Sequence, residues 1–410
     1  MSEVAQVPQL RFPEFSGNWE SKIFRDVFER ITTKNKENNE NVLTISAQQG
    51  LINQKDYFNK SVSAKDVTGY YLLHKDDFAY NKSYSQGYPL GAIKRLKKYD
   101  KGVVSTLYIC FKSIQDNIDF LEQVFNGGRL NHEIHKIAQE GARNHGLLNI
   151  SVVEFFKDIK LNIPTKPEQQ KIAAFLTAVD TKIEQLSKKK ALLGEYKKGL
   201  MQQIFSQAIR FKADDGSDFP NWEEKKLGDV VSTPVSDGPH LTPKFVKQGV
   251  PFLSVNNLVE SKIDFSNVRY ISIDDHLVFS KKCKPKKGDV LLGKAASVGK
   301  VAFVETDVEF NIWSPIAMIR PGNSNFSKYI YYCFQTRFIL NQISKFTNSS
   351  SQGNIGMGDI NKIIIKLPNK LEQTKIANLL SSIDSKIEQV GKQLRESKQF
   401  KKALLQQMFV

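Results

Sequence analysis

Ile172, Leu176, Val179, Ile183, Leu186, Leu193, Leu200 and Ile204 follow one another in steps of 4 and 3, or sums of these. A seam of period 3.5 kept for about five heptads predicts a long helix packed on another helix, a coiled coil, rather than a lone surface helix. The seam recurs near the other end of the chain as Ile376, Leu380, Ile383, Ile387, Val390, Leu394, Leu404 and Met408. Lys190 and Lys197 interrupt the first seam, Ser397 and Lys401 the second. Polar residues at such positions cost stability but fix register. Pro164, Pro167 and Pro368 mark the helix starts, and Glu168 and Glu372 suit the positive helix N-terminus. Gly194 and Gly199 fall inside the first helix and loosen it locally.

The two seams belong to a larger repeat. Ile163-Pro164-Thr165-Lys166-Pro167-Glu168-Gln169-Gln170-Lys171-Ile172-Ala173 returns 204 positions later as Leu367-Pro368-Asn369-Lys370-Leu371-Glu372-Gln373-Thr374-Lys375-Ile376-Ala377. About twenty of the forty-six positions in 161–206 are identical in 365–410. That period is too long for a solenoid of small repeats and means two copies of a domain-plus-helix unit. Each copy opens alike, with Asn18-Trp19-Glu20 and Asn221-Trp222-Glu223, a turn that we expect to lead into a helix start. Runs rich in Val, Ile and aromatics predict strands over 103–111, 289–292, 300–304, 316–319 and 362–367. Helices are expected over 118–125 and 327–346. The expected fold class is α+β: two tandem, pseudo-two-fold-related domains separated by two long antiparallel coiled-coil helices. The boundaries are 1–163 for domain one, 164–210 for the central helix, 211–367 for domain two and 368–410 for the C-terminal helix.

Composition narrows the function classes. The 410 residues carry a formal charge of +16, which points to a polyanion partner, nucleic acid first. No apolar run approaches the ~20 residues that cross a bilayer, and the first residues lack a signal-peptide layout. Three cysteines, Cys110, Cys283 and Cys333, are an odd number without paired spacing, so a reduced, cytoplasmic setting is expected.

No catalytic set assembles. Gly288-Asp289-Val290-Leu291-Leu292-Gly293-Lys294-Ala295 nearly spells a phosphate-binding loop, but Ala295 stands where a hydroxyl must reach the metal and the middle reads as a buried strand. Asn131-His132-Glu133-Ile134-His135 lacks the i, i+4 histidine spacing of a zinc helix, so no metal site is expected and the histidines are read as solvated or core residues. The basic runs at 94–99 and 281–287 can meet phosphates, the sequence-blind part of affinity. Polar loops with amide, hydroxyl and basic groups suit base edges better. The candidate DNA contacts are Lys82, Ser83, Ser85, Gln86, Arg143, Asn144, His145, His240, Thr242, Lys244, Lys294, Ser297, Ser350, Gln352 and Asn354.

With these motifs in view, the chain resembles the specificity subunit of type I DNA restriction–modification enzymes. The paired Pro-x-x-x-Glu-Gln-x-Lys-Ile-Ala helices and the Asn-Trp-Glu openings carry the likeness. So do Asp237-Gly238-Pro239-His240-Leu241-Thr242-Pro243, Gly249-Val250-Pro251-Phe252-Leu253 and Gly288-Asp289-Val290-Leu291 with Gly299-Lys300. Asp77-Phe78-Ala79-Tyr80 and Gly91 match more loosely in the first half. The resemblance implies a non-catalytic reader of double-stranded DNA, each domain taking one half of a bipartite target, with the helices setting the gap. It implies two adenine methyltransferase and two restriction/translocase subunits as partners, which would carry S-adenosylmethionine, ATP and Mg2+, with no cofactor in this chain. Two other classes stay open: a stand-alone DNA-modifying enzyme, which would transfer methyl groups without partners, and a protein-binding coiled-coil adaptor, which would not bind duplex DNA.

Overall fold

The computed structural model describes residues 7–59, 63–138, 148–322, 324–348 and 353–410. Its contacts divide the chain into two units, Met1–Lys188 with Gly391–Val410, and Lys189–Val390. Both have α+β character and the same central sheet. In the first unit the strand order is Phe28–Arg30, Ile109–Ser113, Phe78–Asn81, Ala92–Arg95, every neighbour antiparallel. In the second it is Ser236–Asp237, Ile316–Ile319, Val290–Gly293, Val301–Phe303, again antiparallel throughout. The third strand of each sheet is preceded by a buried aspartate that closes a turn by accepting a backbone amide. His74 N donates to Asp77 Oδ2 at 2.7 Å, and Lys286 N to Asp289 Oδ2 at 2.7 Å. Phe24, Phe28, Phe78, Phe111 and Phe155 fill the first core; Val290, Leu292, Ile319, Tyr329 and Phe334 fill the second.

The Asn-Trp-Glu openings correct the sequence reading. Each runs into a strand, not directly into a helix: Glu20–Ile23 pairs with Lys160–Ile163, and Glu223–Lys226 with Ile364–Leu367. Only one helical turn follows, at Phe24–Val27 and Leu227–Asp229. The partner strands lie about 140 residues downstream, beyond the reach of local periodicity. The tryptophans have a separate task. Trp19 Nε1 donates to Glu168 at 3.3 Å and Trp222 Nε1 to Glu372 at 3.1 Å. Both carboxylates are buried at the start of a long helix, and each receives a two-pronged arginine: Arg11 at 2.8 and 2.7 Å, Arg210 at 3.1 and 2.7 Å.

The strand expected over 103–111 is two strands, Lys101–Val104 and Ile109–Ser113, parted by a turn in which Tyr108 N reaches Ser105 O at 3.1 Å. The helix expected over 327–346 is also two, Ser324–Cys333 and Arg337–Asn348. Thr336 makes that break: its hydroxyl donates to Cys333 O and accepts from Ile339 N, capping the second helix. The final strand begins at Ile364, because Lys362 closes the short helix Met357–Lys362.

The long helices are Lys166–Phe205 and Lys370–Gln407, the first ~60 Å long at 1.5 Å per residue. Asn369 caps the second, accepting from Leu371 N at 2.8 Å. In both helices the seam residues are the buried or half-buried ones. Each unit pairs the start of one helix with the end of the other, so the segments run antiparallel. Ile172 and Leu176 share a core with Leu404 and Met408; Ile376 and Leu380 share one with Met201 and Ile204. Those seams therefore also pack on the α+β cores, which is more than a free-standing coiled coil does. Two of the three seam lysines are paired across the helices: Lys401 with Asp180 at 2.5 Å, and Lys197 with Asp384 at 2.7 Å.

A Cβ built on Gly194 or Gly199 meets nothing within 4 Å. Replacing both with alanine is expected to stabilise the second unit by up to about 1 kcal/mol each through helix propensity. A rise in thermal midpoint checks this; a fall would show that those positions need backbone freedom.

Candidate nucleic-acid interface

Because the two central sheets share one order, Lys82 and Lys294 hold the same station: each is the first residue after the third strand, opening the loop to the fourth. Both main-chain carbonyls are claimed by a returning segment. Leu148 N donates to Lys82 O at 3.1 Å, and Ile355 N to Lys294 O at 2.9 Å. In the second unit, candidate residues far apart in sequence are thereby drawn toward one place. Asn354, next to Ile355, comes in beside the loop that carries Lys294 and Ser297. Arg143, Asn144, His145, Ser350 and Gln352 lie outside the described residues.

Local chemistry shapes the two loops differently. In the first, Asn81 Oδ1 accepts from Ser83 N at 3.1 Å, and Ser85 and Tyr88 exchange backbone bonds at 3.2 and 2.8 Å. Gly91 closes that loop at φ +81°, where an added Cβ would lie 2.2 Å from Asn81 O. Gln86 and Tyr84 are exposed, Lys82, Ser83 and Ser85 half-buried. Among the described residues Lys82 has no ion pair. The second loop is tighter, with Ser297 N on Ala295 O at 2.7 Å and Gly299 N on Gly293 O at 2.9 Å. Residues 290–293 are strand, so no phosphate-cradling loop forms there.

The third group of candidates joins Lys294 through a residue that sequence reasoning did not select. Asp237 is 4% exposed, at the end of the sheet's edge strand. It accepts from Lys282 Nζ at 2.6 Å and lies 3.2 Å from Lys294 Nζ and 3.4 Å from His240 Nε2. Burial raises its carboxyl pKa, but the hydrogen bonds from Lys282 and Lys294 outweigh that, and the net position is below the usual carboxylate range. His240, Thr242 and Lys244 are exposed on the loop that follows, with Leu241 76% exposed between them. The sequence signal for Asp237 was its place in the Asp-Gly-Pro-His run.

The basic runs are less available than their composition implies. Lys282 turns onto Asp237 and Gly238 O, Lys284 onto Glu309 and Lys287 onto Asp307. In the first unit Arg95 is enclosed by Asp76, Asp119 and Glu122, and Lys97 reaches Glu122. His132 and His135 are exposed on the helix Asn131–Ile137, and no metal-holding cluster occurs among the described residues. The three cysteines are buried and unpaired; burial raises the Cys110 and Cys283 thiols to about 12 and about 11, so neither is a ready nucleophile. No helix among the described residues is long and apolar enough to cross a membrane.

Known proteins share this fold. Residues 220–396 match the family model of the type I restriction modification DNA specificity domain. The chain is 25% identical over 264 residues to the type I restriction enzyme MjaVIII specificity subunit of Methanocaldococcus jannaschii, covering 62% of this chain and 61% of that one. It is 22% identical to the EcoBI specificity subunit of Escherichia coli, covering 59% of this chain and 55% of that one. The aligned stretch thus spans less than two thirds of either relative. The crystal structure of a type I restriction–modification S subunit from M. genitalium superposes with a TM-score of 0.60 at 15% identity, covering 98% of this chain and 99% of that one. Residues 220–396 thus resemble the type I restriction modification DNA specificity domain, and the chain shares the fold of that S subunit. The likeness of fold spans both units, whereas the family model matches only the second.

Proposed function

We propose that this chain is a type I restriction–modification specificity subunit that reads double-stranded DNA as a bipartite, asymmetric target, one half-site per unit, and performs no chemistry itself. The supporting observation is the paired station of Lys82 and Lys294: one sheet position, twice, opening loops of unlike sequence and unlike shape. A shared scaffold with different loops suits two readers of different half-sites, since phosphate contacts position a protein and base-edge contacts specify. Two adenine methyltransferase subunits and two ATP-dependent restriction/translocase subunits would dock on it. S-adenosylmethionine, ATP and Mg2+ would belong to those partners, and the complex would act in the cytoplasm. Base extrusion would take place in the methyltransferase, with the duplex distorted near each half-site.

The test is a map of methylated adenines in a host carrying this chain and its methyltransferase. Exchanging residues 211–367 for the corresponding segment of another specificity subunit should change one half of the methylated motif and leave the other unaltered. A motif that changes in both halves, or in neither, would refute the division of labour.

A further inference from the structure

We propose that Asp237 is a positioning residue that sets specificity in the second unit by withholding lysine charge from the DNA backbone; this rests on the DNA-reading role above. Two lysines and one histidine converge on a single buried carboxylate. With Asp237 ionised, the trio Asp237, Lys282 and Lys294 carries a net +1; without it, +2. Lys294 is also fixed through its main chain, N to Pro315 O at 2.8 Å and O from Ile355 N at 2.9 Å, and its side chain is only 14% exposed. An ammonium held in that way can offer a donor at one place and cannot swing to whichever phosphate is near. Fixed donors discriminate between bases, whereas mobile cations add affinity for any sequence. Lys82, at the same station in the first unit, has no carboxylate partner among the described residues.

The experiment measures binding of the full chain, assembled with its methyltransferase, to a duplex carrying the methylated motif and to a random duplex of equal length, from 50 to 200 mM salt. Asp237→Asn should bind the random duplex more tightly at 50 mM, on the order of tenfold, with a salt slope steeper by about one to two as one or two lysines find phosphates. Methylation should spread to sites altered in the second unit's half only. Asp237→Glu should restore much of the discrimination, and adding Lys294→Met to Asp237→Asn should remove part of the extra slope. Weaker random binding by Asp237→Asn, the mark of a merely structural residue, overturns the proposal, as does an unchanged slope with unchanged discrimination. Lys294→Met alone gives an independent reading: loss of second-half discrimination at constant slope supports the proposal, and a shallower slope refutes it. If the unaltered complex prefers no duplex, the DNA-reading role fails and takes this inference with it; a specific wild type with an indifferent Asp237→Asn sinks this inference alone.

Discussion

Gly238→Ala is expected to abolish recognition by the second unit while leaving the first unit's half-site methylated. A Cβ at position 238 would sit 1.6 Å from Ile312 O and 2.6 Å from Ile312 C, both backbone atoms. Relief would need one of two strands to move. Asn311–Ile312 is held in parallel pairing with Val250–Leu253 and is wholly buried, so it cannot retreat. Ser236–Asp237 would have to leave Ile316–Ile319, carrying Asp237 away from Lys282 and Lys294 and moving the loop with His240, Thr242 and Lys244. Overpacking a tight site costs typically about 1–3 kcal/mol, and a clash against the main chain of a buried strand belongs at the top of that range or above it. Methylation mapping reads the function and thermal unfolding reads the fold. A variant that melts normally and still methylates both half-sites would show that the edge strand is far softer than its packing implies.

What could be read from the sequence follows how local the cause is. The long helices were legible to within a few residues, because each seam repeats every 3.5 positions over more than thirty residues without outside help. Ile316–Ile319 was legible as well, being a short run of four buried apolar residues. Whatever depended on a distant partner was not. The strand after each Asn-Trp-Glu opening exists because another strand arrives about 140 residues later. The five lysines of 281–287 look like a free basic run until the counter-ions of three of them, Lys282, Lys284 and Lys287, are seen, and those lie elsewhere: Asp237, Glu309 and Asp307. Likewise, the loops that carry Lys82 and Lys294 were separate candidates in the sequence; the shared sheet order makes them the same feature twice.

The repeated arginine clamp yields the other large effect, with its own internal control. Glu372 has no exposed surface and depends on Arg210 and Trp222; Glu168 is 1% exposed and depends on Arg11 and Trp19. Arg210→Met leaves a buried carboxylate with a single indole donor and frees the carbonyls of Phe219 and Pro220, which Arg210 Nη2 also serves. Removing one partner of a buried pair costs about 3–5 kcal/mol, because the surviving charge stays desolvated. Arg210 is 24% exposed and water can partly replace it, so the lower end of that range is expected. Arg11→Met should cost at least as much, since Arg11 is only 13% exposed. Adding Glu372→Gln to Arg210→Met should recover part of the loss, because the amide carries no charge while its oxygen still accepts from Trp222. Chemical denaturation gives the magnitudes, and amide hydrogen exchange gives the location: Arg210→Met should loosen Lys189–Val390, and Arg11→Met the other unit. Equal loosening of both units by either variant would contradict a local clamp, and a change below about 1 kcal/mol would mean the carboxylates are far better solvated than their burial indicates.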